Sequence, residues 1–343
     1  MKLEQGTATE SVADAAPSPV AVGGVSRARI LGLISLRYGM IWALILLVIV
    51  AQAVYPTFLT LTDLHNLMSQ NAALAIIAVG MTLVIICGGF DLSVGSVYGL
   101  GAVAFAVVSN HASELVSVLA AVLVGTMAGL VNALIITKLK VNPFVATLAT
   151  ASAFLGIGYV WSKSNPVQVA ATGHGGLGLG QLAGLPISGW IAIAVFLAGG
   201  ILLSRTILGR SIYAVGGSAE AARLAGLRVS LVRGSTYLIV GSLSGLAGAI
   251  DTSKLGVAQA DQGQTLPLLA ITCVILGGTA LMGGEGAMWR TVIGLLIVAT
   301  LTDLFDSLAI NTAVQLVIQG VVLVAAVSFD HLVRSVSVGR RKS

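Results

Sequence analysis

Charged residues are scarce in this chain of 343 residues. The 18 Lys and Arg and the 13 Asp and Glu make up 9% of the sequence, whereas 57% of the residues are apolar. A soluble domain has about 25% charged residues, and the charges here are too few to cover an apolar core of this size. The composition excludes a cytosolic enzyme, a nucleic-acid-binding protein and a secreted disulfide-rich scaffold. It predicts an all-α polytopic membrane protein.

Cysteine and histidine, which often bind metals, are also few. The two cysteines, Cys87 and Cys273, lie in apolar segments, and they have no partner at a metal-binding or disulfide spacing. The four histidines lie in predicted loops or at the ends of apolar segments, with no other ligand-type residue at a metal-binding spacing. We therefore expect two small buried thiols and no metal site.

Long uncharged runs organise the chain. A helix needs about 20 mostly apolar residues to cross a membrane, and most of the runs reach that length. The run at 164–204 begins with a loop rich in Gly, at 165–189, so its span is expected near 189–204. We predict about ten transmembrane helices, within a range of eight to eleven. The runs are 38–62, 64–90, 92–113, 115–137, 141–162, 164–204, 234–250, 262–284, 291–302 and 307–329.

Lys and Arg predict the orientation of these helices. With ten spans and the N-terminus inside, 16 of the 18 basic residues fall in inside segments, and only Lys163 and Lys254 fall outside. Cytoplasmic loops collect Lys and Arg, so both termini are expected in the cytoplasm. This bias leaves no basic surface for nucleic acid. We expect a flexible N-terminal tail at 1–35, a transmembrane domain at 36–330 and a basic C-terminal tail at 331–343.

The predicted cytoplasmic loop 205–233 contains the signals of a short helix. Ser218 is a good N-cap, Glu220 in the first turn complements the helix dipole, and Gly226 is placed to end the helix. Such a helix is marginal alone in water, and its small surface suits docking into a groove on a partner. An ordinary capped helix joining two spans is an equally good interpretation. The candidate residues are Gly217, Ser218, Glu220, Ala221, Ala222, Arg223 and Gly226.

Four motifs in order resemble one transporter family. Glu220-Ala221-Ala222-x-x-x-Gly226 is similar to the EAA-x-x-x-G loop of permease subunits of ATP-binding cassette (ABC) importers, and its surroundings resemble the ribose-type sugar permeases. The other motifs are Gly88–Ser96 (GGFDLSVGS), Val141–Leu148 (VNPFVATL) and Gly277–Thr279 followed by Gly283-Gly284. The resemblance extends from about Tyr55 to Asp330, within the broader family shared with branched-chain amino acid permeases.

The resemblance implies the ABC importer permease fold in a bacterial inner membrane. It also implies a permease dimer, from two copies of this chain or from this chain and a related one, with ATP-binding cassette subunits docked on the cytoplasmic loops. A periplasmic binding protein would deliver a monosaccharide or similar small polyhydroxylated solute. The sequence has no G-x-x-x-x-G-K-[ST] phosphate loop. We therefore expect that ATP is used by the partner, and that this chain binds no cofactor and is not an enzyme.

A path for a sugar needs neutral hydrogen-bonding groups. Each candidate could instead bond to a neighbouring helix, and both interpretations remain open. Asp91 is either a helix N-cap, together with Ser93 and Ser96, or a charge that faces the interior. The candidate path residues are Asp91, Ser93, Asn71, Asn132, Asn142, Thr147, Thr150, Gln315 and Gln319.

Glycines are concentrated in two segments, 88–101 and 277–286, which follow apolar runs in the two halves of the chain. We expect them to allow close helix packing or local breaks. Their similar positions hint at an internal duplication of the kind that many transporters have.

Two departures from the family pattern leave the substrate and the pairing of permeases open. An acidic pair is common before the GGT segment, but that place here reads Pro267-Leu268-Leu269, and Asp303 stands where a neutral residue is expected. A stand-alone ion-coupled transporter of a small polar solute is the alternative. It would place paired ionisable groups deep in the spans, whereas Asp91, Asp303 and Asp306 are expected near span ends. An intramembrane enzyme would need a nucleophile and base within the spans, and the sequence offers none.

Overall fold

The computed structural model of the protein describes residues 39–170 and 175–322, together with residues 324 and 328. The predicted tails, 1–35 and 331–343, lie outside the described residues. The helices are α1 (Gly39–Val54), α2 (Leu61–Ile86), α3 (Val94–Ser109), α4 (Glu114–Thr137), α5 (Pro143–Ser162), α6 (Gly176–Leu179), α7 (Ile187–Arg205), α8 (Ile207–Gly217), α9 (Ala219–Leu224), α10 (Val229–Leu255), α11 (Leu266–Leu276), α12 (Met288–Ser307) and α13 (Thr312–Val322).

Five of these helices, α2, α4, α5, α7 and α12, are long and apolar enough to cross a membrane. Helices α1, α3, α11 and α13 are apolar but shorter, and α10 has 27 residues. Each of the ten uncharged runs overlaps one of these ten helices. The predicted polytopic helical class is therefore confirmed for the described part of the chain.

Short strands occupy the loops between helices. The strand β1 (Val167–Gln168) pairs antiparallel with β4 (Val257–Ala258), and β2 (Gln181–Leu182) pairs antiparallel with β3 (Leu185–Pro186). Three of the four strands lie in the predicted loop 165–189, and α7 begins where that loop was expected to end.

Helix α2 is surrounded by other helices. It packs against α7, α10, α11 and α12, and every residue from Ala72 to Ile86 is buried. A helix that is apolar on all sides is typical of this position. Its buried polar residue Thr82 is satisfied, because its Oγ1 bonds to the Oγ1 of Thr291 on α12 at 2.8 Å and to the carbonyl of Ala78 at 2.7 Å.

Glycines bring α10 into backbone contact with α4. A Cβ atom added at Gly241 would collide with Gly125 and Gly129, and one added at Gly245 would collide with the backbone of Ala121. Between membrane helices the hydrophobic effect supplies little attraction, so small residues that allow van der Waals contact between backbones stabilise the pair. The contact between α10 and α4 is the most extensive between any two helices described.

The predicted packing role of the first glycine segment is confirmed on α3. Gly95 lies against the carbonyl of Gly263, Gly99 lies against that of Ala260, and Gly101 lies against Gly245 on α10. Each of these contacts leaves no room for a Cβ atom.

The two glycine-rich segments also begin with the same backbone break. Helices α2 and α11 both end in a Schellman motif, with Gly88 at φ +80° and Gly278 at φ +84° in the left-handed position after the C-cap. This shared geometry supports the hint of an internal duplication. The donor and acceptor pairs are Gly88 N to Ile85 O, Gly89 N to Val84 O, Gly278 N to Ile275 O and Thr279 N to Val274 O.

The loop 205–233 contains a second helix that the sequence analysis did not predict. Residues 207–217 form helix α8, with Ile212 and Val215 buried against the other helices. Thr206 caps α8 by accepting a hydrogen bond from the amide of Gly209 at 3.0 Å. The apolar spacing of Leu208, Ile212 and Val215 was a helical signal that the sequence reading missed.

We predict that the replacement of Gly241 by Ala lowers the melting temperature of the purified protein. The added methyl group would force α10 away from α4, and overpacking of this kind costs about 1–3 kcal/mol. The measurement is thermal unfolding in detergent, followed by tryptophan fluorescence.

The matched control is Gly156→Ala in α5, where no atom of a neighbour lies within 4 Å. Ala favours a helix over Gly by up to about 1 kcal/mol, so this variant should be as stable as the original chain or more stable. Equal melting temperatures for the two variants would contradict the packing argument.

Candidate functional site

The short helix α9 begins as the sequence predicts. The Oγ of Ser218 accepts a hydrogen bond from the amide of Ala221 at 3.2 Å, and Glu220 lies in the first turn. Gly217 is the last residue of α8, so the two helices are separated only by the N-cap residue. The capping role that was assigned to Ser218 is confirmed.

The end of α9 is also fixed by its backbone. Gly226 has φ +85° and donates to the carbonyl of Arg223 at 3.0 Å, while the amide of Leu227 donates to the carbonyl of Ala222 at 3.0 Å. These two bonds form a Schellman motif. A residue other than glycine at this φ costs about 1–2 kcal/mol, so Gly226 is required for the observed end of the helix.

Helix α9 has one buried and one exposed face. Ala222 is buried in a cluster that includes Ile212 and Val215 of α8, and it anchors the helix to the protein. Leu224 is 85% exposed, and Glu220, Ala221 and Arg223 are exposed as well. A short rigid helix with small side chains, one apolar tip and both signs of charge is suited to docking on another protein.

Glycines pack the end of α8 against two breaks between helices, the first between α2 and α3 (87–93) and the second between α11 and α12 (277–287). We call Gly88, Gly216 and Gly284 the glycine junction. Gly216, at the end of α8, lies against the carbonyl of Ile86, the last residue of α2, and against the amide of Gly284. That amide donates to the Ile86 carbonyl at 2.8 Å. These contacts are made by backbone atoms, so the end of α8 is packed directly against the end of α2 and against the segment between α11 and α12.

Tyr213 adds a side-chain link between α8 and the second break. Its hydroxyl donates to the carbonyl of Gly286 at 2.8 Å. Burial raises the pKa of Tyr213, against a smaller opposing effect of Arg290. The hydroxyl therefore stays protonated at neutral pH and keeps donating this bond.

The structure brings five of the predicted path residues together in one buried polar network, formed by Asp91, Ser93, Asn132, Thr147 and Thr150. Asp91 Oδ1 accepts from the amide and the hydroxyl of Ser93 at 2.8 and 2.6 Å. Asn132 on α4 donates to Ser93 Oγ at 2.7 Å and to Asp91 Oδ2 at 3.5 Å, and its carbonyl oxygen accepts from Thr150 on α5 at 2.6 Å. Thr147 accepts from the amide of Leu92 at 3.2 Å.

The N-cap interpretation of Asp91 agrees with its bonds. Asp91 Oδ1 accepts from the amide of Ser93, two residues on, which is the bond that an N-cap side chain makes. Ser93 directly precedes α3 and makes no side-chain cap bond of its own. Asp91 is only 2% exposed, and Ser93, Asn132 and Thr147 are fully buried. In this conformation the polar network joins α3, α4 and α5 by hydrogen bonds. Bonding to a neighbouring helix was the alternative to lining a path, and the network does not face an open path.

The other predicted path residues lie elsewhere. Asn71 borders a cavity of about 340 Å³ between α2, α7 and α12, and its amide bonds to the carbonyl of Leu67 in its own helix at 2.9 Å. Asn142 caps α5 by accepting from Phe144 at 2.9 Å. Gln315 donates to Asp306 and to Ile310 O, and Gln319 is half-buried on α13.

Glu114 is a structural residue that the sequence reading missed. Its Oε1 accepts from the amides of Gly175 and Leu177 at 3.1 Å and from Ser253 Oγ at 2.6 Å. It thereby fixes the segment at α6 over the ends of α4 and α10. Its place in the first turn of a predicted helix gave no sign of these distant partners.

Comparison with known proteins places these features in a family. Residues 64–327 match the family described as branched-chain amino acid transport system / permease component. The match covers more than half of the chain, from within α2 to beyond α13, and the chain therefore belongs to this family. No solved structure matches the chain.

Individual relatives are similar over most of their length. The chain is 39% identical over 294 residues to the ribose import permease protein RbsC of Escherichia coli strain K12, which covers 84% of this chain and 92% of the relative. It is 38% identical to RbsC of Bacillus subtilis over 298 residues, or 86% and 92% of the two chains. It is 35% identical to the L-arabinose transport system permease protein AraH of Escherichia coli strain K12, over 86% and 90%.

We predict that Asn132→Leu destabilises the protein. Leucine has as many side-chain heavy atoms as asparagine but makes none of the bonds to Ser93, Asp91 and Thr150. Unsatisfied buried polar groups cost about 1–3 kcal/mol. Thermal unfolding of the detergent-purified protein measures the loss.

Asn71→Leu is the matched control, since Asn71 bonds only within its own helix in the contacts described. Its melting temperature should stay close to that of the original chain. A loss at Asn71 as large as at Asn132 would refute a specific role for the network.

Proposed function

We propose that the chain is the transmembrane permease subunit of an ATP-driven importer. It forms the translocation path for a monosaccharide or a similar small polyhydroxylated solute, delivered by a periplasmic binding protein. The observation that carries the proposal is α9, which is capped at both ends and exposes Glu220, Ala221 and Arg223. It directly follows α8, whose end makes backbone contacts with both breaks. In this family the segment carries the EAA-x-x-x-G motif, which here occupies α9 and its end.

The substrate class rests on two kinds of support. The relatives are named as ribose and L-arabinose permeases, and the candidate path residues are mostly neutral hydrogen-bonding groups, which suit the hydroxyls of a sugar. Asp91 is the charged member of that set, and Asp303, buried near the end of α12, stands where the family pattern has a neutral residue. We therefore propose the sugar class and leave the particular sugar open.

The partners follow from the same proposal. An ATP-binding cassette subunit docks on α9 and hydrolyses ATP, so that this chain needs no cofactor of its own and catalyses no reaction. A second permease, either another copy or a related chain, completes the path in the bacterial inner membrane. The sequence-based domain boundaries, 1–35, 36–330 and 331–343, are kept in this proposal.

The proposed topology has ten spans, α1–α5, α7 and α10–α13, with both termini in the cytoplasm. In this arrangement α8, α9 and the two membrane breaks lie at the cytoplasmic side, and α6 lies outside. Lys163 and Lys254 are then the only basic residues outside, as the positive-inside rule favours.

The mechanism uses the glycine junction as a mechanical link. When the ATPase subunits close, they move α9, and α8 moves with it because only Ser218 separates the two helices. The backbone contacts at Gly216 pass the displacement to the ends of α2 and to the break at 277–287. Helix ends beside a break have alternative packings, which is the usual basis of a switch between outward-open and inward-open states.

The stand-alone ion-coupled transporter is the weaker alternative. The relatives named above are import permeases and lend it no support. The acidic residues Asp303 and Asp306 lie in the last turns of α12, whereas ion coupling usually places paired ionisable groups deep within the spans.

We predict that Gly226→Leu uncouples transport. At φ +85° a leucine costs about 1–2 kcal/mol, so the helix end shifts and the docking face of α9 changes. Sugar uptake and the amount of co-purified ATPase subunit should both fall by about tenfold, while the amount of membrane-inserted chain stays the same.

Gly184→Leu is the matched control, because Gly184 also has a positive φ, +79°, and no neighbour within 4 Å, but lies in the β2–β3 hairpin. It should retain the ATPase subunit. Normal uptake by the Gly226→Leu variant would rule out the coupling role of α9.

Single cysteines test the proposed topology. Cys87 and Cys273 are buried, so the original chain should react slowly with a membrane-impermeant maleimide. Exposed Asn165→Cys should react in intact cells, whereas exposed Ser230→Cys should react only after the cells are opened. The reverse pattern would invert the topology, and labelling of both in intact cells would reject the span count.

A further inference from the structure

A basic groove lies beside α9, between the ends of α4, α5 and α10. Its volume is about 680 Å³, and it is lined by Lys140, Arg223, Arg228 and Arg233 together with polar groups such as Thr137 and Asn142. We call this feature the basic groove. No Asp or Glu is among its lining residues. The four cationic side chains therefore line the groove without a carboxylate among them.

The charges of the basic groove are not neutralised within the described part of the chain. The ion pair seen there joins Lys254 to Asp251, which are far from the groove in sequence and lie at the other end of α10. The Nε of Arg233 is buried and has no hydrogen-bond partner among the described residues. A buried cationic donor without a partner is costly, and an anionic ligand would remove that cost.

Apolar side chains flank the basic groove. Leu139 and Phe144 adjoin lining residues in the α4–α5 connection, and Leu231 adjoins them on α10; all three are more than half exposed. A cationic pocket at the ends of membrane helices, bordered by exposed apolar side chains, matches both parts of an anionic phospholipid. The headgroup phosphate fits the cations, and the acyl chains fit the apolar border.

We propose that the basic groove binds the headgroup of an anionic phospholipid. The lipid phosphate bridges Lys140 in the α4–α5 connection and Arg228 before α10, with Arg233 at the inner end of the groove. Because Arg223 of α9 also lines the groove, the bound lipid joins the docking helix to the membrane helices. The inference requires only that these helix ends lie at a membrane surface, and it stands apart from the identity of the transported solute.

The experiment measures lipid binding to the full-length chain in detergent by native mass spectrometry. The probes are phosphatidylglycerol, phosphatidylcholine and inorganic phosphate. The double variant Lys140→Gln with Arg228→Gln should bind phosphatidylglycerol about 30-fold more weakly, since each cation near the surface contributes about 1 kcal/mol. Phosphatidylcholine binding should be weak in both proteins and should not change.

Two controls separate the site from general charge and from misfolding. Arg210→Gln removes an exposed cation of α8 that does not line the groove, and it should leave binding of phosphatidylglycerol unchanged. The exchange Lys140→Arg with Arg228→Lys preserves both charges and should retain at least a third of the affinity.

Three results would overturn the proposal. An equal loss in the Arg210→Gln variant would indicate a general charge effect. Displacement of phosphatidylglycerol by an equimolar amount of inorganic phosphate would identify a free-anion site. Unchanged lipid binding with loss of the ATP-binding cassette subunit from the double variant would identify the groove as a protein contact. None of these results would affect the coupling test at Gly226.

Discussion

The backbone contact between α10 and α4 is the constraint on which the other packing in this protein depends. Gly241 and Gly245 contact Gly125 and Gly129 with no room for a side chain. Gly245 also contacts Gly101 of α3. In a membrane there is little hydrophobic gain from bringing helices together, so geometric fit must supply the stability. With α4 held against α10 and α3, Asn132 reaches Ser93 and Thr150, and the polar network can form.

The same use of backbone contact recurs at the glycine junction, where Gly216 and Gly284 meet the carbonyl of Ile86. Side chains can change rotamer, whereas packed backbones leave less freedom for adjustment. The Schellman motifs after α2, α9 and α11 end each helix at a defined residue. The proposed coupling of α9 to the two breaks depends on this fixed geometry.

The sequence was informative where local chemistry decides the structure. Each of the ten uncharged runs corresponds to a helix. Both ends of α9 were predicted from Ser218 and Gly226, because caps depend on residues that are neighbours in sequence. The sequence was less informative where contacts between residues far apart in the chain determine the structure. The bond of Asp91 to Ser93 could be predicted from neighbouring residues, but the bonds of Asn132 to Ser93 and Thr150, which are 39 and 18 positions away from it, could not. Helix α8 was not predicted within the loop 205–233, because its apolar face is buried only by tertiary packing. The basic residues of the groove were first interpreted only as signals of orientation.

The contacting glycines of α4 and α10 are far apart in sequence, and this separation affects how the chain folds during synthesis. Gly125 and Gly241 are 116 positions apart. At about 5–20 residues per second, α4 spends on the order of ten seconds in the membrane before its partner is made. For that interval its glycine face can meet only lipid or another membrane helix. The contact that holds α4 and α10 together therefore cannot form until about two-thirds of the chain has been synthesised.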